Sequence, residues 1–307
     1  MVPIEEVYSG EVLPVLDGPA VFGDRPHHRM MARLDAVLAQ VADAVDPIEA
    51  RRLLGHVLGQ TSAWCFAHTD AMLRPDQVAA FCALIRRRQH GEPIAYLLGR
   101  RSFWTFELAV SPATLIPRPE TEILVEAVLA HVSPAVAARL ADIGTGCGAI
   151  ALALAQERPM ATVIATDQSR AALEIANVNR QRCGLTNVSF CHGNWCDPLD
   201  GRDFDVIVSN PPYIAANDRH LSQGDVRFEP LSALVGGPDG LDAIRQLSAQ
   251  ARDYLRRGGW LMLEHGWDQG DAVRTVLRAA GYEAVRTLRD LEQRERVTLG
   301  VKPHSSL

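Results

Sequence analysis

The chain has 307 residues, enough for two domains because one domain usually takes about 100–200 residues. Hydrophobic residues make up 47% and charged residues 22%, a balance that is typical of globular proteins and excludes a disordered chain, a collagen-like chain or a coiled-coil rod. The net charge of −6 disfavours a protein that acts on naked nucleic acid. No apolar run approaches the roughly 18 residues that a membrane helix needs.

Residues 1–29 hold four prolines and three glycines, which excludes a long helix there. A basic segment followed by an apolar core is absent, so the segment does not resemble a signal peptide. We interpret residues 1–29 as a disordered tail or an over-long start assignment, with Met30 or Met31 as the true start.

Residues 30–92 carry a helical pattern. Apolar side chains recur at helical spacing over residues 34–45, and Pro47 and Pro75 can each open a further helix. The sequence therefore predicts a small helical domain over residues 30–92.

Residues 93–117 differ in composition and are predicted to link two domains. Aromatic and branched apolar side chains surround Ser111 and Pro112, a pattern that indicates a short hairpin over residues 101–117.

From residue 118 to residue 303, helices and strands alternate. Pro119 is expected to open a helix, and a series of buried strands follows. This alternation predicts an α/β fold with a doubly wound, mostly parallel, Rossmann-like sheet. The last two strands have no helix between them and can pair as an antiparallel edge. The predicted strands are residues 140–143, 162–166, 188–191, 206–209, 261–264, 284–288 and 297–301.

The first of these strands runs into a glycine-rich turn and then directly into a helix. Glycines in such a turn allow a ligand to approach the backbone closely. The spacing G-x-G-x-G differs from the G-x-G-x-x-G of nicotinamide and flavin enzymes, and no Gly-Lys-Ser/Thr follows as in a P-loop. The turn consists of Gly144, Thr145, Gly146, Cys147 and Gly148.

Asp167 ends the next strand, 19 residues beyond Gly148. A carboxylate at that position can accept hydrogen bonds from two ribose hydroxyls, which indicates an adenosine-containing ligand. The same side chain could cap the helix that follows, and the two roles can coexist. Trp195, after the third strand, could cover an adenine ring or be a partly buried core residue.

The fourth strand ends in Asn210, Pro211, Pro212 and Tyr213. The prolines remove two backbone donors, so the carbonyl groups there can face a ligand. The Asn210 side-chain oxygen and the Pro211 carbonyl match the two N–H bonds of a planar amino group, and Tyr213 offers a flat face. Open α/β sheets bind ligands at this edge, at the carboxyl ends of their strands.

The glycine turn, Asp167 and the Asn-Pro-Pro-Tyr loop together resemble the S-adenosylmethionine-dependent methyltransferases that modify amino groups on planar systems. Residues 115–122 resemble the signature of the glutamine-N5 branch. Residues 224–231 resemble the loop that follows Asn-Pro-Pro-Tyr in the release factor glutamine methyltransferases of the PrmC/HemK family. Residues 263–266 and 295–300 look like the final strands of that family. The resemblance runs from about Met30 to Lys302.

The resemblance implies S-adenosyl-L-methionine as the cofactor. It carries the cofactor-binding role to Gly144, Thr145, Gly146, Cys147, Gly148, Asp167, Trp195 and Asn210. Cys147 stands where the family usually has Thr or Ser, and Asn194 stands where it usually has Asp.

The resemblance also implies that the substrate glutamine is bound by Asn210, Pro211, Pro212 and Tyr213, with catalysis carried by Asn210, Pro211 and Tyr213. No dedicated general base is evident, and His192, His220 and His265 are candidates by residue type alone. Neither a disulfide framework nor a metal site is expected, because the six cysteines are irregularly spaced and never form C-x-x-C.

The implied reaction is methyl transfer to the side-chain amide nitrogen (N5) of the glutamine in the Gly-Gly-Gln motif of class I peptide-chain release factors. We expect a cytoplasmic monomer that binds neither membrane nor nucleic acid directly, and whose helical domain helps to dock the protein substrate. The alternatives are a ribosomal-protein glutamine-N5 methyltransferase, an adenine-N6 nucleic-acid methyltransferase and a non-catalytic cofactor-binding module. Residues 118–120 and 228–230 disfavour the first, the acidic net charge disfavours the second, and the intact Asn-Pro-Pro-Tyr loop disfavours the third.

Overall fold

The computed structural model describes residues 31–304, so the predicted tail over residues 1–29 lies outside the described residues. The chain divides into two compact units between His90 and Gly91. No helix among the described residues is both long and apolar enough to cross a bilayer.

The first unit is mainly helical. Its helices are α1 (Leu34–Ala39), α2 (Pro47–Leu58), α3 (Ser62–Ala67) and α4 (Pro75–Gln89), and two short strands, β1 (Ala32–Arg33) and β2 (Met72–Leu73), pair antiparallel. The predicted helix over residues 34–45 ends at Ala39. Val41 stays buried because the chain continues in tight turns, and Asp46 then caps α2 by accepting from the Ile48 and Glu49 amides.

The second unit begins with a short helix and a hairpin. They are α5 (Ile94–Leu98), β3 (Arg100–Phe103) and β4 (Phe106–Ala109). The predicted hairpin is thus confined to residues 100–109. After β4 a turn at Ser111, whose carbonyl accepts from the Thr114 amide, redirects the chain, so residues 110–117 form a loop.

A seven-stranded sheet forms the centre of the second unit, in the order β10-β11-β9-β8-β5-β6-β7. Its strands are β5 (Arg139–Ile143), β6 (Thr162–Asp167), β7 (Val188–His192), β8 (Phe204–Ser209), β9 (Leu255–Glu264), β10 (Glu283–Arg289) and β11 (Glu295–Val301). The strands β5 to β9 pair parallel, whereas β11 pairs antiparallel with both β9 and β10. The predicted doubly wound sheet with an antiparallel edge is confirmed.

Helices cover both faces of this sheet. They are α6 (Glu122–His131), α7 (Ala149–Glu157), α8 (Arg170–Cys183), α9 (Asp242–Tyr254) and α10 (Gly270–Ala279). Successive β8 side chains enter opposite cores: Val206 and Val208 join α6 and α7, while Ile207 joins α9 and α10. The helix expected at Pro119 begins as a 3-10 turn, Pro119–Thr121, and α9 and α10 were not identified from the sequence.

The strand order places the loops that carry the predicted site at one edge. From β5 the chain proceeds to β6 and β7 on one side and to β8 and β9 on the other. The carboxyl ends of β5, β6 and β8 therefore meet where the order reverses, which is the position at which open α/β sheets bind ligands.

Candidate active site

A cavity of about 230 Å³ opens at this edge of the sheet. The predicted site residues that line it are Gly144, Thr145, Gly146, Cys147, Asp167, Trp195, Asn210, Pro211 and Pro212. Gly148 and Tyr213 are not among the lining residues. The cavity therefore gathers residues at the ends of four strands, β5 to β8, which span residues 144 to 212.

The glycine turn after β5 needs glycine for its backbone conformation. Gly144 and Gly146 have φ angles of 73° and 57°, and a Cβ on either would meet no atom within 4 Å. The positive φ, rather than close packing, therefore selects glycine at both positions. The amides of Gly144 and Thr145 both donate to the Thr166 carbonyl, at 2.8 and 2.9 Å, which fixes the turn against β6.

Gly148 differs from Gly144 and Gly146 because close packing, as well as its positive φ, requires glycine there. It caps the N-terminus of α7 at a φ of 88°, and a Cβ there would lie 3.2–3.3 Å from Phe190, Ala176 and Leu152. The structure therefore uses Gly148 for close helix–sheet packing, and the cofactor contact expected of it has no support from its position.

Asp142, a buried carboxyl that the sequence did not identify as a site residue, supports the glycine turn through hydrogen bonds. Asp142 is fully buried, and its Oδ2 accepts from Thr145 Oγ1 at 2.6 Å and from the Ala151 amide at 3.1 Å. Burial raises the pKa of Asp142 to about 7. Its position near the end of β5, just before the glycine turn, could have identified Asp142 as a site residue from the sequence.

Asp167 faces the cavity at the end of β6. Its Oδ2 accepts from the Gly146 amide at 2.9 Å, and its Oδ1 accepts from the Ser169 amide at 2.8 Å. Ser169, not Asp167, caps α8, because its hydroxyl accepts from the Ala172 amide. Each carboxylate oxygen has two lone pairs, so Asp167 keeps acceptor capacity for ribose hydroxyls.

Trp195 lines the cavity in a constrained backbone conformation. Its φ is 45°, and its carbonyl accepts from Thr166 Oγ1 at 2.8 Å. The indole is half-buried and also packs on the apolar core beneath the sheet edge. Both interpretations of Trp195 therefore fit its position.

Asn210 extends from the end of β8 into the cavity wall. Ser209 Oγ donates to the Ile143 carbonyl at 2.7 Å, which ties this end of β8 to β5. The Asn210 Nδ2 donates to Thr121 Oγ1 at 3.2 Å, and no described residue donates to its Oδ1. The acceptor oxygen of Asn210 is thus available to a ligand, and Thr121 is a site residue that the sequence analysis did not name.

Tyr213 lies behind this loop. Its carbonyl accepts from Gln269 Nε2 at 3.0 Å, and its half-buried ring packs on the core that α9 and α10 share. Burial and the nearby Glu264 carboxyl raise the pKa of the Tyr213 phenol. The structure therefore brings Tyr213 to the support of the loop rather than to the cavity surface.

One ion pair joins two walls of the cavity. The Nη2 of Arg118, which lines the cavity, donates to the Oε2 of Glu229 at 2.7 Å, and the Glu229 side chain is fully buried. Burial raises the pKa of Glu229, and the charge of Arg118 opposes that rise. Both residues lie in the segments that resemble family signatures.

The three candidate histidines have structural partners. His265 Nε2 hydrogen-bonds Thr298 Oγ1 at 2.8 Å, His192 Nε2 hydrogen-bonds the Gln168 carbonyl at 3.0 Å, and His220 pairs with Asp218. None of them is among the residues that line the cavity.

Comparison with known proteins assigns both units of the chain. The family described as PrmC N-terminal domain matches residues 30–99, and the family described as Methyltransferase small domain matches residues 119–225. A solved structure, a methyltransferase from Pyrococcus furiosus, covers 71% of this chain and 97% of its own length, with a TM-score of 0.51 at 19% identity, and shares the fold.

Curated relatives match over most of both chains. The release factor glutamine methyltransferase of Xylella fastidiosa strain Temecula1 is 56% identical over 268 residues, which is 87% of this chain and 98% of the relative. That of Escherichia coli strain K12 is 49% identical over 252 residues, which is 82% of this chain and 91% of the relative. The chain therefore belongs to the release factor glutamine methyltransferase family, and its cofactor is S-adenosyl-L-methionine.

Proposed function

We propose that this protein transfers a methyl group from S-adenosyl-L-methionine to N5 of the glutamine in the Gly-Gly-Gln motif of class I peptide-chain release factors. The observation that carries the proposal is the orientation of Asn210: Thr121 holds its Nδ2, and its Oδ1 is left for a ligand in the cavity. An acceptor oxygen there suits an incoming amide –NH₂ group.

The residues present fit the cofactor. The glycine turn brings backbone close to a ligand, Asp167 keeps lone pairs for two ribose hydroxyls, and Trp195 offers an aromatic face for an adenine ring. Bound S-adenosyl-L-methionine supplies an electrophilic methyl group on a sulfonium.

The substrate amide is a weak nucleophile, because its lone pair is delocalised into its carbonyl. The Asn210 Oδ1 and the Pro211 carbonyl accept hydrogen bonds from the two N–H groups of the substrate amide. These bonds aim the amide nitrogen at the methyl group. Such alignment can contribute up to about 7–11 kcal/mol to lowering a barrier. The same two oxygens stabilise the N–H groups as they become more acidic during transfer.

Methyl transfer would form the N–CH₃ bond as the S–CH₃ bond breaks, the demethylated thioether S-adenosyl-L-homocysteine would be the leaving group, and the nitrogen would then release one proton to solvent. No histidine lines the cavity within the described part of the chain, and the one lining carboxylate, Asp167, already accepts two backbone hydrogen bonds. Tyr213 and Pro212 keep the loop rigid, since the Tyr213 carbonyl is held by Gln269.

We extend the proposal to the setting of the reaction. The helical unit that ends at His90 helps to dock the release factor, and the protein acts as a cytoplasmic monomer that binds no nucleic acid directly. The net charge of −6 supports a protein substrate, because nucleic-acid enzymes usually carry a basic surface.

A labelling experiment tests the proposal. Purified protein and methyl-tritiated cofactor are offered to a release factor, to ribosomes and to DNA, and a release factor with Ala in place of the motif glutamine serves as a control. We expect label in the intact release factor alone, and Asn210→Ala should abolish it while cofactor binding weakens only modestly. Label in ribosomal protein or in DNA would overturn the proposed substrate.

A further inference from the structure

Glu264 is a buried carboxyl beside Asn210, and it has no role in the reaction proposed above. It ends β9, and the parallel register pairs Ser209 with Leu263, so Asn210 and Glu264 follow the same pair at the same edge. Glu264 is 2% exposed, and its Oε2 has no hydrogen-bonding partner in the described part of the chain. An unsatisfied buried carboxyl oxygen is costly and calls for an explanation.

Groups from three elements face this carboxyl. Glu120 and Thr121 approach from the turn before α6, Tyr213 from the loop after β8, and Arg296 from β11. The pKa of Glu264 is raised to about 7, chiefly by burial and also by the negative charge of Glu120. The Thr121 and Tyr213 hydroxyls and the Arg296 charge oppose that rise because they stabilise the ionised form.

The Thr121 hydroxyl connects Glu264 to Asn210. Thr121 is 4% exposed, and its Oγ1 accepts the hydrogen bond from Asn210 Nδ2. A hydroxyl has one proton to donate, so the proton of Thr121 must point away from Asn210. The Glu264 carboxyl is an acceptor close enough for the Thr121 hydroxyl to stabilise its ionised form.

We propose that Glu264 is a positioning residue, which acts through Thr121 to hold the Asn210 amide with its oxygen toward the cavity. The inference rests on the proposed function, because that orientation suits an acceptor that presents N–H bonds. While Glu264 is ionised, Thr121 donates to it and must accept from Asn210. When Glu264 is neutral, Thr121 can donate to Asn210 Oδ1 instead, and the amide then turns its –NH₂ toward the substrate –NH₂.

A spectroscopic experiment tests the orientation without any substrate. Protein labelled with ¹⁵N in its asparagines is titrated from pH 5.5 to 8.5, and Asn210→Asp identifies the Asn210 side-chain signal by its loss. We expect that signal to shift with a midpoint near 7 and to lose the shift in Glu264→Gln. A signal that does not titrate in the unchanged protein, or that titrates equally in Glu264→Gln, would overturn the inference.

Kinetics with a release factor test the consequence for the reaction. Reversing the polarity of one buried hydrogen bond costs roughly tenfold or more, so kcat should fall at least about tenfold in Glu264→Gln and Thr121→Val. Thr121→Ser keeps the hydroxyl and should restore kcat to within about threefold. In both low-kcat variants KM and the cofactor dissociation constant should stay within about twofold.

The outcomes separate this inference from the proposed function. If the unchanged protein labels no release factor, the proposed function fails, and the titration of Asn210 still decides whether Glu264 orients it. If the release factor is labelled but Thr121→Ser loses as much kcat as Thr121→Val, the hydroxyl has no such role and the inference fails. The kcat of the unchanged protein should also rise with pH through about 7, and Glu264→Gln should remove that rise.

Discussion

The Nη2 of Arg118 lies 2.7 Å from the Oε2 of Glu229, a residue 111 positions further along the chain. This pair joins the segment before α6 to the loop that follows the Asn-Pro-Pro-Tyr motif. Pro230, directly after Glu229, lines the same cavity as Arg118. The ion pair therefore holds two walls of the site together.

Removal of Arg118 should destabilise the protein. Arg118→Ala leaves the fully buried Glu229 carboxylate without its partner, and we expect the free energy of unfolding in urea to fall by about 2–4 kcal/mol. The Arg100–Glu107 pair is a matched control, because the side chain of Arg100 is 46% exposed and that of Glu107 is 57% exposed. Arg100→Ala should cost less than about 1 kcal/mol, and equal losses in the two variants would contradict the buried role of Arg118.

Asp167→Ala should weaken cofactor binding strongly. Two hydrogen bonds to a carboxylate contribute roughly 1.5–3 kcal/mol each, so the dissociation constant should rise by a factor of about 10²–10⁴ in isothermal titration calorimetry. Asp253→Ala, on an exposed position of α9, is the control and should leave the constant unchanged. An unaltered constant in Asp167→Ala would refute the ribose contact.

Gly148→Ala should reduce stability more than cofactor affinity. At φ 88° a Cβ is strained, and here it would also press on Phe190, Ala176 and Leu152. Gly184, which ends α8 at φ 68° with nothing within 4 Å of a Cβ, separates the two effects. Gly184→Ala should cost roughly 1–2 kcal/mol in urea unfolding, from the backbone strain alone. Gly148→Ala should cost more, and a smaller loss would argue against the packing role.

Two buried carboxyls should make stability fall as pH rises from about 4 to about 7. Burial raises the pKa values of Asp142 and Glu264 to about 7, so in this range the unfolded chain releases their protons before the folded protein does. Stability present below the unfolded pKa is therefore lost as pH rises, on the order of 3 kcal/mol for each group.

Unfolding in urea at pH 5 and pH 8 measures this loss. Asp142→Asn and Glu264→Gln should each show a smaller difference between the two pH values than the unchanged protein, because the substituted group no longer titrates. A variant that keeps the full difference would show that its carboxyl does not titrate between those values.

Secondary structure that depends on neighbouring residues was predicted well from the sequence. The buried strands and the alternation with helices follow from local apolar runs, and the seven-stranded sheet confirms them. The periodicity of residues 34–45 predicted one helix, but the helix ends at Ala39. The tight turns that follow also keep Val41 buried, so the spacing of buried residues alone does not distinguish them from a helix. The short helix α3 carries too few residues for a periodic signal.

The sequence by itself determined the chemistry available to this protein. The glycine turn, Asp167 and the Asn-Pro-Pro-Tyr loop occur in an order that a doubly wound sheet gathers at one edge, and the family resemblance is carried by the same residues. Which groups touch was decided only by the tertiary structure. Thr121 holds Asn210, the Thr121 hydroxyl stabilises the ionised form of Glu264, and Tyr213 is not among the residues that line the cavity. These contacts join segments about 50 to 145 residues apart, and local sequence patterns do not encode the distance between such segments.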